Sequence, residues 1–272
     1  MRSVARVAEL IVPFMAIGYL AVAGGGCMNI TELPSVIATI VKSALGLDQA
    51  AGGAMGYAVA QAMMQGIKRG LFSNEAGMGS APNAAATAST KPNHPAAQGY
   101  VQMLGVFIDT IVICTATAAI ILLSGHLESG SGLNGIALTQ AALVSQVGDW
   151  GAAFVAIAIL LFAFTSIIAN YSYGESNIEY IFKSKSAIMF YRIAVLAMVF
   201  IGSVLDLPVV WSFADLSMGM MAIINLIAIG LLSGVAFMVL RDYEEQRKAG
   251  KDPIFDRTKF PKLDKQLDKD VW

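Results

Sequence analysis

Charge is scarce in this 272-residue chain: Asp, Glu, Lys and Arg together make 14% of it, against 56% hydrophobic residues. A water-facing globular surface carries about 25% charged residues, so an ordinary soluble domain is excluded; the mean hydropathy of +0.65 says the same. A formal net charge of -1 offers little to neutralise a run of phosphates, which argues against a nucleic-acid partner. Cysteine is nearly absent. Cys27 and Cys114 are too few and too far apart for a disulfide framework or a metal site, and they read as small apolar residues. His94 and His126 are isolated, in segments expected on opposite faces of a membrane, which argues against metal ligation. No nucleophile–base constellation is visible, so no enzyme and no cofactor are expected. The glycines of NEAGMGS follow no strand, so a nucleotide-binding reading fails its own context. The first apolar run lacks the small-residue cleavage site of a secretory signal.

What is present is a series of apolar runs. Crossing the hydrocarbon layer takes about 20 mostly apolar residues. Runs at 8–26, 52–67 with a continuation to 90, 100–123, 150–171, 187–205 and 208–240 predict an all-α polytopic membrane protein with about six transmembrane helices. The last run exceeds one span, so 208–219 is expected as a separate interfacial or half-membrane piece. Orientation follows from Lys and Arg in the short loops. With Arg2 and Arg6 inside, Lys68, Arg69, Lys91, Lys183 and Lys185 also fall inside, and Lys42 alone falls outside. This predicts a multi-pass protein of the cell membrane with a cytoplasmic C-terminus. The expected division is a transmembrane part, 1–240, and a charged tail, 241–272, whose mixed charge reads as a solvated segment. Residues 31–47 read as an amphipathic external helix in the interface.

The strongest anomaly is Gly66 to Ser80, GIKRGLFSNEAGMGS, followed by APNAAATA. Glycines at 66, 70, 77 and 79 and Pro82 are poor material for an unbroken helix. The stretch 52–90 is too long for one crossing and suits two half-helices joined by an unwound segment. Carriers use such breaks because freed carbonyls coordinate a cation while a half-helix N-terminus attracts a carboxylate. Ser73, Asn74, Glu75 and Ser80 supply side-chain partners there. Read from composition alone, 68–98 is equally a cytoplasmic loop with Lys68, Arg69 and Glu75 solvated. A second feature is Thr165, Ser166 and Asn170, spaced to share one side of a helix. Their hard oxygens suit an alkali cation, by analogy with calcium; bonding to their own helix is the alternative. Glu75, Asp109 and Asp215 are candidate intramembrane polar residues, a class that usually faces a partner or a water-filled path.

GIKRGLFSNEAGMGSAPNAAATA, HPAAQGYVQMLGVFIDTIVICTATA, FAFTSIIANYSYGESNIEY and LPVVWSFADLSMGMMAIINLIAI resemble the alanine or glycine:cation symporter family, in its C-terminal half, over nearly the whole chain to about residue 245. The resemblance implies the second inverted repeat of a leucine-transporter-type fold, with one broken helix. It implies sodium-coupled symport of small neutral amino acids such as alanine or glycine. Asn74, Gly77, Met78, Gly79, Ser80, Ser166 and Asn170 are implied for the substrate, and Thr165 and Ser166 for sodium, the coupling ion. Many family members carry tryptophan where this chain has Asn170, which puts side-chain size selectivity in question. The family's G-T-G-N type segment is absent upstream of residue 66, so the chain is expected to be a fragment whose partner is the missing first-repeat half. The rival expectation is a non-transporting assembly or regulatory subunit that retains half of the fold.

Overall fold

The computed structural model describes residues 2–26, 30–46, 55–126 and 132–267, and among these the regular structure is helical throughout. The helices are α1 (Arg2–Gly26), α2 (Leu33–Ala44), α3 (Met55–Asn74), α4 (Ala81–Ala85), α5 (Pro95–Phe107), a π-helical stretch (Ile108–Cys114), α6 (Thr115–Leu123), α7 (Ile136–Val147), α8 (Trp150–Phe182), α9 (Lys185–Val204), α10 (Leu207–Lys248) and α11 (Pro261–Asp264). Four of them are long and apolar enough to cross a bilayer: Pro95–Leu123, Trp150–Phe182, Lys185–Val204 and Leu207–Lys248. Their outward side chains are apolar and open, among them Leu160, Phe190, Phe200 and Leu231 at 67%, 76%, 71% and 81% exposure. Water would penalise such a surface and lipid does not.

Several boundaries differ from those read off the sequence. The run 208–240 is one helix, not two pieces: its only proline, Pro208, occupies the first turn, where a missing N–H costs nothing. Forty-two residues make a rod of about 63 Å, longer than the roughly 30 Å of hydrocarbon, and the helix runs eight residues past 240. In the same way α8 continues to Phe182, so the loop expected at 172–186 shrinks to Lys183 and Ser184. Lys183 ends α8 in the left-handed region (φ 45°), its N–H donating to Glu179 O at 3.0 Å. The stretch 124–149, left between the predicted spans 100–123 and 150–171, contains α7. Gly135 and Gly148 flank this helix, both at positive φ, and it buries Thr139, Ala142 and Leu143 at helical spacing. The expected helix at 31–47 is present as α2.

The chain forms two compact units, Met1–Ser73 with Ile108–Tyr191, and Asn74–Phe107 with Arg192–Trp272. In the first, Tyr19 and Ala23 of α1 pack with Ile120 of α6, Ala142 and Leu143 of α7 and Val155 of α8. Between helices in lipid the hydrophobic drive is weak, so close packing and polar ties decide. Tyr19 and Thr117 hydroxyls meet at 2.8 Å, and the Gln146 side-chain amide donates to Ile120 O at 2.8 Å. Each such tie stabilises by about 0.6–2 kcal/mol.

In the second unit the residues after α10 fold back as a strap. Val239, Phe255 and Phe260 form a buried cluster. The Phe255 N–H donates to Asn93 O at 2.9 Å, and the Gln246 side chain both donates to Ile254 O and accepts from its N–H, at 3.0 Å each. Asp242 receives Gln246 Nε2 at 2.7 Å and Lys259 Nζ at 2.9 Å, and His94 Nε2 lies 3.3 Å away. His94, which the sequence places in a loop, is fully buried between the rings of Tyr243 and Phe255. Burial pushes its pKa down, against the opposing pull of Asp242. Lys259 is held above its ordinary value by the same carboxylate.

Candidate functional site

Helix α3 stops at Asn74 because the next residue leaves the helical region. Glu75 has φ 52°, Gly77 φ 78° and Gly79 φ 95°, three positive values in five residues. A left-handed residue with a side chain costs about 1–2 kcal/mol, and such strain collects at functional sites. The Met78 N–H donates back to Glu75 O at 3.4 Å, and α4 begins after Ser80. Asn74 to Ser80 are therefore one connected turn, broken where the glycine spacing indicated. The second half-helix is shorter than expected. It runs only from Ala81 to Ala85. A five-residue helix has little dipole, so a carboxylate at this turn has to rely on local donors rather than on a long half-helix.

Those donors and acceptors are specific. Ser80 is 6% exposed, and among the described residues its Oγ has no hydrogen-bond partner. A buried hydroxyl left unsatisfied costs about 1–3 kcal/mol. Met78 is buried at 6% exposure. The carbonyls of Gly79 and Ser80 both accept from the Asn83 side-chain amide at 3.2 Å, and Ser80 O also accepts from the Asn83 backbone N–H at 2.9 Å, which clamps the turn.

The α8 residues are described within the other unit. Thr165 Oγ1 donates to Leu161 O and Phe162 O at 3.0 Å each, and Asn170 Nδ2 donates to Ser166 O at 3.0 Å. These are the bonds to the residue's own helix that the alternative reading anticipated. They occupy donors only, so the Thr165 oxygen and Asn170 Oδ1 keep acceptor capacity. Ser166 and Asn170 are exposed, and Thr165 is half-buried. Asp109 lies in the π-helical stretch and accepts from Ser73 Oγ at 2.6 Å, a charge-assisted bond. π-Helical insertions recur at functional sites. Asp215 is half-buried within α10 rather than on a separate interfacial piece. Glu75 is half-buried at the mouth of the turn. Lys68 and Arg69, solvated in the loop reading, are both within α3.

One residue absent from the sequence-derived set stands against the turn. Asn225 of α10 packs on Gly79: a β-carbon built there would lie 3.3 Å from Asn225 Cβ and 3.4 Å from Cγ and Oδ1. The signal was legible as the lone carboxamide between Leu207 and Leu240.

The model of the sodium:alanine symporter family matches residues 1–257. The chain belongs to the sodium:alanine symporter family. The match covers nearly the whole of this chain, not a part of it. Relatives in this symporter family include a probable sodium/glutamine symporter of Bacillus subtilis, 57% identical over 255 residues, covering 93% of this chain and 52% of that protein. An amino-acid carrier protein of the same organism is 53% identical over 264 residues, covering 97% and 55%. A sodium/alanine symporter of Methanococcus maripaludis is 40% identical over 253 residues, covering 91% and 53%. The chain spans about half the length of the curated relatives it matches. No solved structure matches it significantly. Family membership and the long apolar helices make it a multi-pass membrane protein, in a family of symporters and not of enzymes.

Proposed function

We propose that this chain works in sodium-coupled symport of a small neutral amino acid, alanine or glycine, across the cell membrane. The substrate is held by Asn74, Gly77, Met78, Gly79 and Ser80 in the turn, with Ser166 and Asn170 as further substrate contacts on α8. Thr165 and Ser166 supply oxygens to sodium. The Ser80 hydroxyl donates to the substrate carboxylate, and the glycines let ligand atoms approach the backbone closely. Transport runs by alternating access in a leucine-transporter-type repeat, with about six crossings and a cytoplasmic C-terminus. The observation that carries this reading is the turn itself: three left-handed residues and a buried hydroxyl, unpartnered among the described residues, interrupt the chain between α3 and α4 of a symporter family member. The names of the relatives, sodium with alanine or glutamine, support the ion and the substrate class.

The test is uptake of radiolabelled alanine into proteoliposomes under an imposed sodium gradient. The chain is assayed alone and together with the part of a related carrier that it does not match. Sodium-dependent uptake in either arm supports the reading. Absence in both, with the protein inserted and folded, puts a non-transporting membrane subunit in its place.

A further inference from the structure

The turn at 75–80 has a neighbour that the substrate assignment above does not use. Three observations converge on it within one compact unit. The Asn225 side chain lies against Gly79, so that a β-carbon at 79 would sit 3.3 Å from its Cβ and require a shift of a few tenths of an ångström. Its carboxamide is half-buried and, among the described residues, takes part in no hydrogen bond. The next residue of the turn, Ser80, buries a hydroxyl that also lacks a partner. A carboxamide in an apolar membrane helix is costly to leave unpaired, and such groups normally find a partner on a neighbouring helix. Here two unpaired polar groups flank one glycine instead. An unpaired acceptor beside an unpaired donor matches the two ends of an amino-acid zwitterion.

We infer that Asn225 is a substrate-binding residue whose Oδ1 accepts from the α-ammonium group of the amino acid while Ser80 Oγ donates to its carboxylate. The inference rests on the carrier reading and deepens it: it assigns recognition of the main-chain ammonium group, common to all amino acids, to α10. It also explains why position 79 is glycine, beyond its φ of 95°. A side chain there would crowd the carboxamide by a few tenths of an ångström.

The experiment uses the purified full chain and alanine in the presence of sodium. Asn225→Leu keeps the volume and removes the polar group, and alanine affinity falls about tenfold or more, the equivalent of one charge-assisted hydrogen bond. The melting temperature stays at the wild-type value. The second measurement needs no stable leucine variant. Asn225→Cys is made in a chain with Cys27→Ala and Cys114→Ala, and its labelling by a membrane-permeant maleimide is slowed by alanine but not by lactate, which lacks the ammonium group. Asn225→Leu with wild-type affinity, or maleimide labelling indifferent to alanine while the wild type binds it, overturns the assignment alone. Failure of the wild-type chain to bind alanine both alone and together with the part of a related carrier that it does not match overturns the carrier reading and this one with it.

Discussion

The helix that carries Thr165, Ser166 and Asn170 is seated by a contact that a single methyl group should disrupt. Gly174 of α8 faces Tyr191 of α9, and a β-carbon at 174 would overlap the tyrosine hydroxyl and lie 2.5 Å from Cζ and 2.9 Å from Cε2. Tyr191 is not free to withdraw without loss. Its hydroxyl donates to Tyr171 O at 3.0 Å, and its ring stacks on Tyr171 with centroids 5.9 Å apart. Losing the hydrogen bond costs about 0.5–1.5 kcal/mol and losing the ring pair about 0.5–1.5 kcal/mol. Against this, Gly→Ala inside a helix gains about 0.5–1 kcal/mol in propensity. Gly174→Ala should therefore destabilise the protein by up to about 2.5 kcal/mol net, with a midpoint of about 1 kcal/mol. In a Tyr191→Ala background the overlap is gone, and the same change should stabilise by up to about 1 kcal/mol. Tyr191→Phe, which removes the nearest atom, should fall between. The assay is reversible denaturant unfolding in detergent micelles, run as a double-mutant cycle. The sign reversal is the decisive feature. If Gly174→Ala were equally destabilising with and without the tyrosine, the overlap would not be its cause.

The remaining expectations concern the turn and the strap. Gly77→Val places a β-branched residue at φ 78°, which costs at least about 1–2 kcal/mol, and should abolish sodium-dependent alanine binding by calorimetry; unchanged binding would show that the turn is not the substrate site. Phe255→Ala removes a side chain buried to 7% exposure, at a cost of about 3–5 kcal/mol if the cavity does not collapse. Trypsin cleavage at Arg257 and Lys259 should then accelerate strongly, and an unchanged rate would mean that the strap is not held by its core. The strap should also weaken in acid. His94 has a lowered pKa when folded, so the released segment, with an ordinary value near 6.5, binds more protons and stability rises with pH through the region below that value. Its contribution is fully present above about pH 6.5 and is lost as pH falls below it. Hydrogen exchange at 93–94 and 254–260, corrected for intrinsic rates, should show protection falling from pH 7 to 5, and His94→Gln should flatten that slope. A slope unchanged in the variant would assign the effect elsewhere.

What the sequence determined by itself is what depends on local chemistry. Apolar runs of spanning length predict helices, and α8, α9 and α10 are where those runs lie, because backbone in lipid must satisfy its own hydrogen bonds. The break at Asn74–Ser80 was legible because left-handed backbone favours glycine, and Gly77 and Gly79 mark it. Helix ends were less legible. The long extensions of α8 and α10 carry polar residues such as Glu179 and Glu244, and the composition of a helix that leaves the hydrocarbon layer resembles that of a loop. Helix α7 was missed for a related reason: twelve residues do not reach the length that marks a span. Only the tertiary structure decided which residues meet. Asn225 reaching Gly79, Ser73 reaching Asp109, and His94 enclosed by Asp242 and Phe255 join positions far apart in the chain. No local propensity encodes such pairs, because each is set by how whole helices pack, and a buried polar group takes whichever partner that packing brings within bonding distance.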